Sequence, residues 1–293
     1  MVPIIILHHN DLDSLKKCII SIKKETKTEY KLYIVDNNSE KEIQKQIKII
    51  FKKKNCTIIY NPKDNWLYGF NLAIKKIRYN WNYIILSDAD IIFRKTKKNG
   101  CWLKYLINEL NLNPTIGKLG IRLNTRYIKN KKKFIKIYKR ELTYQNGKKI
   151  GNNVIAPTDT TAAIYRKNLF ITNKFEMQVG HTSLIKPFYY SCRTSKILEC
   201  NHIGWHTYNK LYLRKNLNLK ELRKKAWFFS KMNRPIESTL SSKLPLYERI
   251  ILFMLSKLFY RVIYSIKFNL NWICYLIKNY PFNYNEIQNR VNK

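Results

Sequence analysis

Apolar and polar positions fall in blocks along the first third of the chain. Val2 to Leu7, Tyr30 to Val35, Thr57 to Tyr60 and Tyr83 to Leu86 are short, nearly continuous apolar runs. Runs of that length predict buried strands. Between them apolar residues recur at three- and four-residue spacing: Leu12, Leu15, Cys18, Ile19 and Ile22, then Ile43, Ile47 and Ile50, then Leu72 to Ile77. That is the period of one buried helix face. Asp11 or Asp13 caps the first helix, Ser39 the second, and Gly69 opens the third. The pattern is βαβαβαβ with short connections, which predicts a mostly parallel sheet with helices on both faces.

The second half is less regular. Trp102 to Leu112 predicts an amphipathic helix ended by Pro114, and Lys118 to Leu123 a strand. Phe134 to Tyr144 alternates and reads as one arm of a hairpin, turning at Asn146-Gly147 and returning along Lys148 to Val154. Thr160 to Tyr165 and Lys196 to Cys200 predict two more strands. After His206 the character changes. Leu219 to Met232 reads as a basic helix, and Leu246 to Pro281 is dominated by large apolar and aromatic residues. A bilayer-crossing helix needs about 20 apolar residues in a row. Here the longest uncharged run is Phe268 to Ile277, and Arg249, Lys257 and Arg261 fall near one helical stripe. That suits a helix lying at an anionic membrane surface, basic side toward the headgroups. A helical pair packed on the domain, or on a second subunit in a homodimer, is the alternative.

Charge changes the picture. The 293 residues include 56 Lys and Arg against 19 Asp and Glu, a formal +37. Such a field attracts polyanions: nucleic acid, anionic lipid and nucleotide phosphates. No helix-turn-helix, zinc finger or RNP-type motif occurs, and the basic residues are spread rather than striped, so no specific nucleic acid is expected. A polyanion-binding α/β protein without catalysis is the alternative to an enzyme. The six cysteines are scattered with no C-x-x-C pair, which predicts reduced thiols in a cytoplasmic protein rather than a disulfide framework. The apolar run in the opening MVPIIILHHND is too short for a secretory signal.

The candidate chemistry sits at strand exits. Tyr83 to Leu86 ends in Ser87-Asp88-Ala89-Asp90. Two carboxylates one residue apart at the tip of a buried strand are costly unless a cation neutralises them. The carboxyl edge of such a sheet is where ligands bind. A divalent cation carrying a diphosphate fits, since hard cations take oxygen ligands from carboxylates and phosphates. The plain alternative is a polar turn with two solvated aspartates. Neither G-x-G-x-x-G nor G-x-x-x-x-G-K occurs, so dinucleotide and P-loop chemistry lack their residues. Adjacent residues leaving a strand point to opposite sides, which argues against His8-His9 as a chelating pair.

Four stretches in order resemble a known family. Pro3 to Asn10 (PIIILHHN), Val35-Asp36-Asn37-Asn38-Ser39, Asn65 to Asn71 (NWLYGFN) and Ser87-Asp88-Ala89-Asp90 are similar to the successive motifs of family 2 nucleotide-sugar glycosyltransferases with the GT-A fold. The resemblance covers about residues 1–125. It implies an α/β GT-A domain over 1–210, with a nucleotide-binding half (1–125) and an acceptor half (126–210), followed by a basic helical extension over 211–293. It further implies a UDP- or GDP-sugar donor, a glycan or glycolipid acceptor, and Mn²⁺ or Mg²⁺.

By the same resemblance, His8, Asn10, Asp36, Asn37, Asn71 and Asp88 line the donor. Asp88, Asp90 and His202 hold the metal, with His206 a competitor for His202. For Asp36 the alternative is helix capping, which Ser39 could already supply. The usual acidic pair of family 2 is not evident. Pro157 to Arg166 (PTDTTAAIYR) and His202-Ile203-Gly204-Trp205 instead look like the D-T-T-x-A-x-Y-R and H-x-x-W elements of some bacterial surface-sugar transferases. That makes Asp159 the candidate base or acceptor-binding carboxylate, against the reading of a turn aspartate. Glu141 and Glu176 stand behind it, and Arg122, Arg166 and the lysines near position 97 are candidates for phosphate.

Overall fold

The computed structural model describes residues 1–51, 56–64, 66–128, 135–158, 161–167, 190–205 and 244–260, with isolated residues between 219 and 270. Two compact units result, Met1–Tyr208 with Asn283–Lys293, and Asn209–Phe282.

The first unit is built on a nine-stranded sheet. Its parallel part comprises β1 (Val2–His8), β2 (Tyr30–Asp36), β3 (Cys56–Tyr60) and β4 (Tyr83–Asp88). Ile4, Ile5 and Ile6 of β1 and Ile84, Ile85 and Leu86 of β4 are fully buried on both faces, which is why their runs are continuous rather than alternating. Helices α1 (Leu12–Glu25), α2 (Lys41–Phe51) and α3 (Phe70–Lys76) connect these strands. The Asp11 side chain accepts from the Ser14 N–H at 3.1 Å and caps α1. Ser39 does not cap α2: its hydroxyl donates to Asp36 instead.

After a two-residue strand β5 (Ile91–Ile92), helix α4 (Trp102–Leu112) leads into β6 (Ile116–Gly120) and β7 (Arg122–Leu123). The sheet order is β3-β2-β1-β4-β10-β6-β11-β9-β8, with β10 (Ala163–Arg166) antiparallel between β4 and β6. The others are β8 (Lys149–Ile150), β9 (Asn153–Ile155) and β11 (Tyr190–Arg193). A second sheet joins β5, β12 (Glu199–His202) and β7.

One predicted element has a different form. Residues 135–143, expected as a hairpin arm, form helix α5. Ile135, Tyr138 and Leu142 also have three- and four-residue spacing, and on this helix Tyr138 packs against the core and Glu141 is 3% exposed. Packing of Tyr138 on the core and the buried Glu141 override the local alternation, while Ile135 and Leu142 stay exposed. Asn146-Gly147 lies in the turn after α5, and the hairpin that forms is the shorter β8–β9 pair. A Cβ on Gly147 would stand 2.9 Å from the Ile155 carbonyl, so this turn presses directly on β9. The predicted strand over 118–123 is broken at Ile121, whose N–H donates to the Ala162 carbonyl at 2.9 Å.

In the second unit, helix α6 (Leu246–Met254) continues into π-helical turns over Leu255–Tyr260. No helix among the described residues is long and apolar enough to cross a membrane. Cys18, Cys56, Cys101, Cys192 and Cys200 are free thiols. Most of the predicted helix 219–232 and of the stretch after 260, together with Cys274, lie outside the described residues.

Candidate active site

Register decides which side chains meet at the carboxyl ends of β1, β2 and β4. His8 pairs with Asp36 across the β1–β2 ladder, and Leu7 pairs with Asp88 across β1–β4. Three strand tips therefore open on one edge.

At the first tip Asp36 is fully buried. Its Oδ1 accepts from His8 Nδ1 at 3.0 Å and from the Ser39 hydroxyl, and its Oδ2 from the Ser39 N–H at 3.1 Å and Gln44 Nε2 at 2.9 Å. The Asp11 N–H points at His8 Nε2 at 3.1 Å. That nitrogen must carry the lone pair, so the Nδ1–H tautomer donates to Asp36. Burial alone would raise the Asp36 pKa, but the hydrogen bonds from His8, Ser39 and Gln44 outweigh it and hold the carboxyl below its usual value.

A carboxylate offers about four acceptor sites, and here all are taken by the protein. In this arrangement Asp36 ties together the end of β1, the loop after β2 and α2. Asn37 is similarly engaged, donating to Asp64 Oδ1 at 2.5 Å and accepting from Asn61 Nδ2 at 2.8 Å. Asn10 and Asn38 are exposed and adopt left-handed backbone, φ 53° and 63°, which asparagine tolerates. Asn10 ties the two loops together, its N–H to Ser39 Oγ at 2.9 Å and its Oδ1 from the Glu40 N–H at 2.8 Å. His9 turns the other way and donates to the Asn37 carbonyl at 3.0 Å. Asn71 is half-buried on α3. A Cβ on Gly69 would lie 2.7 Å from Leu7 Cδ1 and 3.0 Å from Asn37 Oδ1, so glycine lets α3 begin against the strand tips.

The second tip carries the acidic pair. Asp88 Oδ2 accepts from the Thr161 hydroxyl at 2.9 Å. Asp90 is brought to His202 by the β5–β12 ladder, in which His202 pairs with Ile91 and the Ile203 N–H donates to the Asp90 carbonyl at 2.9 Å. Asp90 Oδ2 stands 3.6 Å from His202 Nδ1. The imidazole stacks on Trp205, centroids 5.0 Å apart and planes at 3°. Gly204 makes the approach possible, since a Cβ there would fall 1.8 Å from Asp90 Oδ2. Asp90 Oδ1 is buried and has no hydrogen-bond partner. Beneath the pair lies Cys18, whose thiol pKa is pushed well up by burial and then by the charge of Asp90.

These groups fit a divalent cation. A buried carboxylate oxygen with nothing to accept from, beside an imidazole nitrogen, is a cation-seeking pair. Among the described residues no group of three or more His, Cys, Asp or Glu could hold a metal. A site with few protein donors leaves positions to phosphate and water, as Mg²⁺-type ions usually have them.

Asp159, Glu176 and His206 lie outside the described residues. The residues before Asp159 are firmly held. Fully buried Lys118 donates to the Thr158 carbonyl at 2.6 Å, and Arg193 Nε to the Pro157 carbonyl at 3.0 Å. Arg193 also pairs with buried Glu141 at 2.6 Å, tying α5 to β11. Ala162 sits at φ 49°, a conformation costing an alanine about 1–2 kcal/mol, where the chain turns from Thr161 into β10. Two phosphate candidates are otherwise employed. Arg166 donates to the carbonyls of Leu110, Asn113 and Ile116 at the C-terminal end of α4. Arg122 pairs with Glu199 at 2.9 Å and donates to Gln145. Thr161 and Gly204 were not singled out as site residues by their sequence. Their partners lie 73 and 114 positions away, beyond any local pattern.

The glycosyl transferase family 2 model matches residues 4–172. Comparison with curated proteins finds no match. Among solved structures, the mannosyltransferase PcManGT from Pyrobaculum calidifontis, in complex with GDP-Man and Mn²⁺, is similar at 11% identity and TM-score 0.50, over 95% of this chain and 86% of that one. S. aureus TarS is similar at 13% identity and TM-score 0.44, over 88% of this chain and 53% of that one. The likeness to PcManGT is one of fold.

Proposed function

This chain belongs to glycosyl transferase family 2 and has the GT-A fold, and on that premise we propose that it moves a sugar from a UDP- or GDP-sugar to a hydroxyl of a surface glycan or lipid-linked acceptor, with metal assistance and inversion. The observation that carries this reading is the corner formed by Asp90 and His202, with one buried carboxylate oxygen unpartnered. Asp90 and His202 hold the cation, and Asp88, oriented by Thr161, faces the ribose and phosphates. Mn²⁺ or Mg²⁺ bound there supplies Lewis-acid neutralisation of the departing diphosphate.

The loop from His8 to Asn10, Asn37 and Asn71 lines the nucleotide, with Asp36 fixing the loop's shape. The acceptor oxygen attacks the anomeric carbon, its proton passes to Asp159, and the bond to the diphosphate oxygen breaks with its electron pair leaving on the phosphate. The enzyme works on the cytoplasmic side, with its basic C-terminal stretch as a peripheral membrane contact.

A thermal-shift panel of UDP-, GDP-, CMP- and dTDP-sugars with and without Mn²⁺ tests the reading, because a ligand of the folded state raises the melting temperature by mass action. The expected result is stabilisation by a UDP- or GDP-sugar only with metal, abolished in Asp90→Asn. Equal, metal-independent stabilisation by every polyanion would point to bulk charge and refute it.

A further inference from the structure

The unit Asn209–Phe282 has one packed side and one bare one. α6 turns Leu252 inward against Ala226 and Leu244, which are 3%, 1% and 4% exposed. Glu248 takes an ion pair from Arg223, Nη2 to Oε1 at 2.6 Å. The rest of the helix has the opposite character. Among the described residues, twelve large apolar side chains between Leu246 and Leu270 are 45–67% exposed. Leu246, Ile250, Phe253, Met254 and Leu258 recur at the spacing of one helix face. Soluble surfaces rarely leave so extended an apolar patch bare.

Charge selects the occupant. Residues 209–282 include fifteen Lys and Arg against three Glu and no Asp, and Arg249 is exposed on α6 itself. A second copy of the chain would bring another +37 against this one, a like-charge contact that disfavours self-association through this face. A surface that is anionic outside and apolar just beneath answers both features, and that is the headgroup layer of an anionic bilayer. No described helix is able to cross such a layer, so the contact is interfacial.

We propose that α6 and the π-helical turns after it lie in the headgroup region of an anionic membrane, with Phe253, Leu258 and their neighbours inserted among the acyl chains. This deepens the peripheral-contact reading above and is independent of the catalytic one. The test is co-sedimentation of the full-length chain with phosphatidylcholine vesicles, with and without about one-third phosphatidylglycerol, at about 0.1 M and 0.5 M salt, where screening separates charge from apolar insertion. The expected result is binding to the anionic vesicles that persists in part at high salt. In Phe253→Asn/Leu258→Asn the high-salt binding falls at least about tenfold, with the melting temperature unchanged, since both side chains are exposed.

Three results would overturn the proposal: no binding by the wild type, equal binding by the variant at both salts, or a wild-type dimer that the variant dissociates. The metal-dependent donor shift is read on the same preparations. Its absence in the wild type would refute the catalytic reading and leave this one standing.

Discussion

Two aspartates leave strands of the same sheet and meet opposite conditions. Asp36, at the end of β2, is surrounded by four protein donors and fully buried. Asp90, just past the end of β4, keeps a buried oxygen with no partner and a histidine 3.6 Å away. A saturated carboxylate is finished as structure: any ligand that approached it would first have to displace a protein donor. An unsaturated buried one is costly as it stands, and the cost is removed only by something brought from outside. On the proposed reading, the first scaffolds the loop and the second takes part in ligand chemistry.

Substitution should separate the two in kind as well as in size. Asp90→Asn is expected to lower kcat/KM for sugar transfer by about 10³-fold, or ~4 kcal/mol of transition-state stabilisation, with the melting temperature nearly unchanged. Asp36→Asn should do the reverse. It leaves buried donors facing an amide, and denaturant melts should show a loss of about 2–4 kcal/mol.

The same substitution should also flatten the acid limb of stability. Asp36 has a folded pKa below its usual value. Its contribution is therefore complete above the unfolded carboxyl pKa of about 4 and is lost as the pH falls through the folded value. Gly204→Ala keeps both cation donors but puts a methyl group onto the Asp90 carboxylate. Isothermal titration should show Mn²⁺ affinity in the presence of nucleoside diphosphate reduced about 10–100-fold, the range for groups that orient metal ligands. Thr161→Val, which removes only the donor to Asp88, should cost about tenfold in kcat/KM, one hydrogen bond to a charged group, and Thr161→Ser should restore it.

The parallel part of the fold was legible because its central strands, β1 and β4, are buried on both faces. Ile4 to Ile6 and Ile84 to Leu86 write that burial as unbroken apolar runs ending in polar residues. The later part was not, because its strands are two to five residues long and pair across large separations. β10 enters antiparallel between β4 and β6, and β11 pairs with both β6 and β9. In 135–143 an alternation and a helical period coexist, and contacts from elsewhere decide for helix: Tyr138 on the core and the buried Glu141–Arg193 pair, 52 residues apart.

The acidic pair announced itself as a chemical problem at a strand tip. Nothing local joined it to His202, which lies 112 positions beyond Asp90 and is brought there by the short β5–β12 ladder; family resemblance put them together. Asp36 was legible as a residue of the nucleotide edge but not as a saturated one. Its donors His8, Ser39 and Gln44 come from a strand end, a loop and a helix that meet only in the folded chain.

The most direct measurement is a titration of Mn²⁺ into the protein with UDP or GDP present and absent, following the signal of free Mn²⁺ by electron paramagnetic resonance. The account predicts one tightly bound ion per chain that appears only with the diphosphate and is lost in Asp90→Asn but kept in a folded Asp36→Asn. An ion bound equally well by Asp90→Asn, or no bound ion under any condition, would contradict it.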